Sequence, residues 1–149
     1  MKDDAIKGRV LYVESSDLIQ SWVRPLLNRL GCLLEPARTI DAARAIVENE
    51  DHLDLVVIGD LTRPTDLVAG VPLAELSLIN SIRERKCYRE TPVIIFTNVD
   101  WLDDAYRAGA DGEIAKPAGA DDLEKVIKPY LDGKKKRRRH AAAPSSSRP

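Results

Sequence analysis

The sequence predicts an α/β fold in which five short parallel strands lie between two layers of helices. Apolar runs of four to six residues recur along the chain and stop at polar clusters, the pattern of strands buried on both faces. Between them lie segments with apolar residues at three- and four-residue spacing, so strands alternate with helices, and that alternation implies parallel pairing through right-handed crossovers. Hydrophobic residues make up 44% of the chain but aromatics only 5%. The core must therefore be built from Val, Ile, Leu and Ala, which suits a sheet covered by helices.

The first run, Arg9 to Val13, stops at Glu14, Ser15, Ser16 and Asp17. Ser16 or Asp17 is suited to cap the next helix, with Ser15 a further hydroxyl of the capping type. That helix carries Leu18, Ile19, Trp22, Val23, Leu26, Leu27 and Leu30 at helical spacing and ends at Gly31. Pro25 removes one of its backbone bonds and is expected to bend it. Cys32 to Glu35 reads as the second strand, and Thr39 caps a second helix through Ile40, Ala43, Ile46 and Val47. Leu53 to Ile58 is the third strand. A long connection from Asp60 leads to a third helix over Leu73 to Arg85. The fourth strand spans Val93 to Phe96, a short helix follows around Asp100 to Ala108, and the fifth strand spans Glu113 to Ala115. A last helix runs from about Asp121 to Leu131. Trp22 is expected to serve core or helix packing and Trp101 to be a surface aromatic at a partner face. His52, in a loop, is expected to be exposed.

At 149 residues the chain suits one domain with a real core. Its net charge of −1 hides a division. Residues 134–149 hold seven of the 23 Lys and Arg and no acid, leaving 16 basic against 24 acidic residues in the rest. Residues 132–149 therefore read as a basic, disordered tail following a domain at 8–131. Lys134 to Arg139 would give that tail an electrostatic hold on nucleic acid or another anionic partner, or else merely solubilise it. Cys32 and Cys87 have neither metal nor redox spacing and read as free thiols. No apolar run approaches the roughly 20 residues that span a bilayer, and the acidic start does not resemble an export signal. A cytoplasmic protein is expected. No Gly-rich phosphate loop, Ser-His-Asp set or cofactor fingerprint is present, so a small α/β hydrolase is disfavoured and a non-enzymatic role expected.

In open parallel sheets, ligands bind beyond the carboxyl ends of the strands. Those ends are Glu14 and Ser15, Asp60, Thr97 and Lys116. A hydroxyl and an ammonium beside carboxylates at one rim suit the holding of a phosphoryl group. With Val10 to Glu48 read without gaps, the run Thr91 to Thr97, Gly109-Ala110-Asp111 and Lys116-Pro117, residues 8–131 resemble the receiver domain of two-component response regulators. The resemblance implies a flavodoxin-like sheet in the order 2-1-3-4-5. It makes Asp60 the phosphoacceptor, Thr97 the hydroxyl and Lys116 the cation that hold the phosphoryl group, with Lys116-Pro117 a cis bond. It implies Mg²⁺ held by Glu14, Asp60 and the backbone carbonyl of Thr62, and a histidine kinase or phosphotransfer protein as phosphodonor. Those residue types fit the chemistry: a carboxylate nucleophile, and cations that neutralise the transferring oxygens.

Some residues depart from the family pattern. Asp60 stands four residues before Pro64, as the family acceptor does, but a count forward from Asp54 lands on Gly59. Asp60 is assigned because no other nearby acid could serve. Ser15 replaces the carboxylate that binds metal directly, so Mg²⁺ binding should weaken. Glu113 stands at the switch position, where the family has an aromatic residue that turns inward; burying a carboxylate there is costly. Leu67 to Leu73 lies in an extended connection and is apolar enough for a contact surface. These features leave two functions. One is a single-domain receiver signalling through partners when Asp60 is phosphorylated. The other is a pseudo-receiver that binds partners without phosphorylation.

Overall fold

The computed structural model describes residues 7–138. Five parallel strands, β1 (Gly8–Val13), β2 (Cys32–Ala37), β3 (Leu55–Ile58), β4 (Val93–Thr97) and β5 (Gly112–Ala115), form one sheet in the order β2-β1-β3-β4-β5. The helices are α1 (Asp17–Arg29), α2 (Ile40–Asn49), α3 (Leu73–Glu84), α4 (Leu102–Ala108) and α5 (Ala120–Leu131). Because successive strand residues face opposite sides, the sheet feeds two cores. Leu11, Val13, Val56, Ile58, Val93 and Ile95 meet α2, α3 and α4. Val10, Tyr12, Leu55, Val57, Ile94 and Phe96 meet α1 and α5. The central strands are thus apolar throughout, as the sequence indicated.

Every element end lies within about two residues of the predicted one, and the shifts in β2 and β3 fall where the neighbouring strand β1 engages the chain. β3 begins at Leu55; just before it Asp54 is tied to β1 twice, its side chain accepting from Arg9 N and its own N donating to Arg9 O, each at 2.8 Å. β2 continues through Pro36 to Ala37, whose carbonyl accepts from Glu14 N. Ser16, not Ser15, caps α1 by accepting from Ile19 N, while Thr39 caps α2 as expected. Helix α1 continues through Pro25.

Both tryptophan expectations are corrected. Trp22 is 46% exposed, because the buried stripe of α1 is Gln20, Val23, Leu26 and Leu27, and Leu18 and Trp22 fall beside it. Trp101 is only 3% exposed; α4 begins one residue later, which leaves Trp101 to fold into the core between α3 and α4. Gln20 is buried because its amide nitrogen donates to Glu14 O and Ala37 O, joining the ends of β1 and β2. His52 is exposed and lies 3.1 Å from Asp54. Cys87 is exposed and Cys32 buried; burial, then Asp54, pushes the Cys32 thiol up to about 11, well away from reactive thiolate.

Between β3 and α3 the chain makes a 3₁₀ turn at Pro64–Asp66 and a small closed loop in which Val68 and Val71 exchange backbone bonds. Ala69 (φ 52°) and Gly70 (φ 80°) form its tip. Val68 and Leu73 remain largely exposed there. No helix among the described residues is long and apolar enough to cross a membrane.

Candidate functional site

Glu14 follows β1, Asp60 follows β3 after Gly59, Thr97 ends β4 and Lys116 follows β5, so the sheet order gathers all four at one rim. Thr97 Oγ1 donates to Asp60 Oδ1 at 2.6 Å and in turn accepts from Val99 N at 3.0 Å. Lys116 Nζ lies 3.0 Å from Asp60 Oδ2 and 2.8 Å from Glu14 Oε1. It is also 5.1 Å from the Phe96 ring centroid, so the ammonium is held by two anions and one aromatic face. The Lys116-Pro117 bond is cis. Asp60, and not Gly59, is the residue brought to Thr97 and Lys116. Gly59 is needed for another reason: a Cβ there would overlap Glu14 Oε1 and approach Val13 O to 2.9 Å.

Glu14 is buried and both its oxygens are engaged. Oε1 accepts from Lys116 and, at 3.3 Å, from Asp60 N; Oε2 accepts from Ser16 N at 3.1 Å. Such a network repays the desolvation of the carboxylate. The Tyr12 phenol beneath the rim is raised above its ordinary range by burial, with Glu14 and Asp60 adding to the rise.

The donor set is a weak one for a divalent cation, with Glu14 and Asp60 the side-chain carboxylates that would hold Mg²⁺. Glu14 faces the ammonium, Ser15 supplies a hydroxyl that donates to Asp60 O at 2.8 Å, and no group of three metal-ligating side chains gathers among the described residues. The third ligand position, Thr62, is fixed by a residue that the sequence reading passed over. Glu75, buried in the first turn of α3, accepts from Leu61 N, Thr62 N and Thr62 Oγ1 at 2.9, 3.1 and 2.6 Å. An acid in the first turn of a helix usually reads as a partner of the helix dipole. Nothing in local sequence marks it as the anchor of a loop thirteen residues earlier. Replacing Ser15 by Asp is expected to raise Mg²⁺ affinity about tenfold or more, as one added carboxylate suits this hard cation. Titration followed by amide shifts at Asp60 and Thr97 would read it, and an unchanged affinity would mean that rim geometry, not charge, limits binding.

Glu113 is exposed, not turned inward, and accepts from the Tyr106 hydroxyl at 2.7 Å. Burial, then that bond to Glu113, raises the Tyr106 phenol above its ordinary range. A cavity of ≈ 250 Å³ lined by Thr97, Asn98, Asp100, Glu113, Ile114 and Lys116 joins this position to the rim. A second, of ≈ 410 Å³, lies between α1 and Pro117 and includes the exposed Trp22.

A five-stranded parallel sheet in this order, covered by helices on both faces, is the fold of CheY-like receiver domains. Solved structures agree. The receiver domain of a sensor histidine kinase from Pseudomonas aeruginosa PAO1, which holds a magnesium ion in its active site cleft, is 19% identical and superposes with a TM-score of 0.67 over 84% of this chain and 98% of its own. A CheY-like receiver domain protein from Methanospirillum hungatei is 24% identical, with a TM-score of 0.69 over 85% and 94%. A signal receiver domain of a histidine kinase from Clostridium thermocellum is 21% identical, with a TM-score of 0.71 over 83% and 97%. No family model and no curated protein matches the sequence. The chain therefore has the CheY-like receiver fold, established by structure at low sequence identity.

Proposed function

We propose that this protein is a receiver that accepts a phosphoryl group on Asp60 from a histidine kinase or phosphotransfer protein and signals by binding partners. One observation carries the reading: each oxygen of the Asp60 carboxylate is held by a different donor, Oδ1 by the Thr97 hydroxyl and Oδ2 by the Lys116 ammonium. In the transfer, an Asp60 oxygen forms a bond to phosphorus as the donor's P–N bond breaks, and the leaving imidazole keeps the electron pair. Thr97 and Lys116 then donate to the oxygens of the new acyl phosphate, where their positive charge and dipole offset its charge. In this reading the cation already in the site is Lys116, Mg²⁺ binds weakly, and the protein is a signalling component of the cytoplasm rather than an enzyme.

The engaged Glu14 and the neutral Ser15 favour a second reading, a pseudo-receiver that binds partners without phosphorylation. Acetyl phosphate treatment with and without Mg²⁺, read by intact mass, separates the two. A single phosphoryl increment that disappears in Asp60→Asn supports the first. No increment, together with no amide shift at Thr97 on adding beryllofluoride, would leave the second.

A further inference from the structure

At the opposite rim, the described chain does not end with α5. It turns at Gly133 (φ 75°), where Lys134 N and Lys135 N both donate to Pro129 O, and returns to the amino ends of β4 and β5. There Asp111 has a side chain that is 0% exposed. Its Oδ2 accepts from Val93 N and Arg83 Nη2, each at 2.9 Å. Its Oδ1 accepts from Arg137 Nε at 2.9 Å and Arg138 N at 2.8 Å, both in the returning segment. Arg137 Nε also lies 3.2 Å from Oδ2, and its two terminal nitrogens donate to Arg89 O at 3.2 Å and Gly109 O at 3.3 Å.

We propose that this rim is a guanidinium-binding site built on the buried Asp111, and that its ligand is Arg137 of the chain's own C-terminal segment. A surface Arg–Asp pair is worth little, because both partners are as well served by water. Asp111 is not on the surface. Among the described residues, the donors to Oδ1 come from this segment alone, and a buried carboxylate oxygen without a donor is costly. Arg137 also donates to two carbonyls, of which Gly109 O is shared with Arg83, so the recognition uses the planar fork of the guanidinium rather than charge alone. Burial and the adjacent Arg137 lower the Arg83 guanidinium to about 10, while Asp111 opposes them. One residue further on, the Arg138 guanidinium lies 4.1 Å over the Tyr106 ring, the same tyrosine that holds Glu113. The docked segment thereby lays a cation on the face formed by α4 and β5. Residues 132–138 of the basic tail are placed here; residues 139–149, with Arg139, lie outside the described residues.

Hydrogen exchange on the full chain tests this. The Arg138 amide should exchange about 100-fold more slowly than an unstructured amide, the protection expected of a bond to a buried carboxylate. In Arg137→Ala that protection should fall at least about tenfold, while amides of β1 and β3 keep theirs. Wild-type exchange at the unstructured rate, or protection unaltered in Arg137→Ala, would overturn the proposal. Protection that grows with protein concentration would also overturn it, since the guanidinium would then come from a second copy.

Discussion

Replacing Asp111 by Ala should lower folding stability by about 3–5 kcal/mol, the cost of breaking a buried ion pair from one side. The side chains of Arg83 and Arg137 are only 15% and 20% exposed and converge on a carboxylate with no exposure. Removing it leaves two like charges facing each other and strands the Val93 amide at the start of β4. Asp111→Asn keeps the shape and some acceptors, so it should cost less. Urea denaturation of both variants would measure this. A loss below about 1 kcal/mol for Asp111→Ala would place the cluster with ordinary surface pairs.

The second large effect is expected at Gly59. An alanine methyl there must displace the Glu14 carboxylate or the Val13 carbonyl, and Gly59 N already donates to Val13 O at 2.6 Å. Overpacking of this kind costs about 1–3 kcal/mol. Here it should also slow phosphoryl labelling of Asp60, since Glu14 and Lys116 move together. A double-mutant cycle locates the conflict. If it lies with Glu14, Gly59→Ala should cost much less in a Glu14→Ala background; an equal cost in both backgrounds would place the strain in the backbone.

Much of this arrangement could be read from residue order. The apolar runs around Val10, Val56 and Ile94 gave the strands because those strands are buried on both faces, where burial alone determines composition. Glu14, Thr97 and Lys116 were legible because each stands at the end of such a run, and Asp60 because it is the acid nearest the end of another; in a parallel sheet the run ends share one rim. What was not legible depended on long-range pairing. Glu75 anchors a loop from a helix, and Gln20 ties together two strand ends; each looks locally like an ordinary helix residue. Trp22 lies one position off the buried stripe of α1, and Trp101 precedes α4 and folds inward from the loop, so local periodicity places neither. Arg137 sat within a run of six basic residues, and composition cannot single out the one that meets a buried acid.

Pro36 has a consequence beyond its own strand. Ala37 directs its carbonyl to Glu14, just after β1, so by the alternation of a strand the neighbouring residue 36 presents its nitrogen to the outer edge. Proline has no hydrogen there to offer. A foreign strand approaching this border finds a gap in the donor ladder it would need, and the border is spared the stacking that turns open sheets into aggregates.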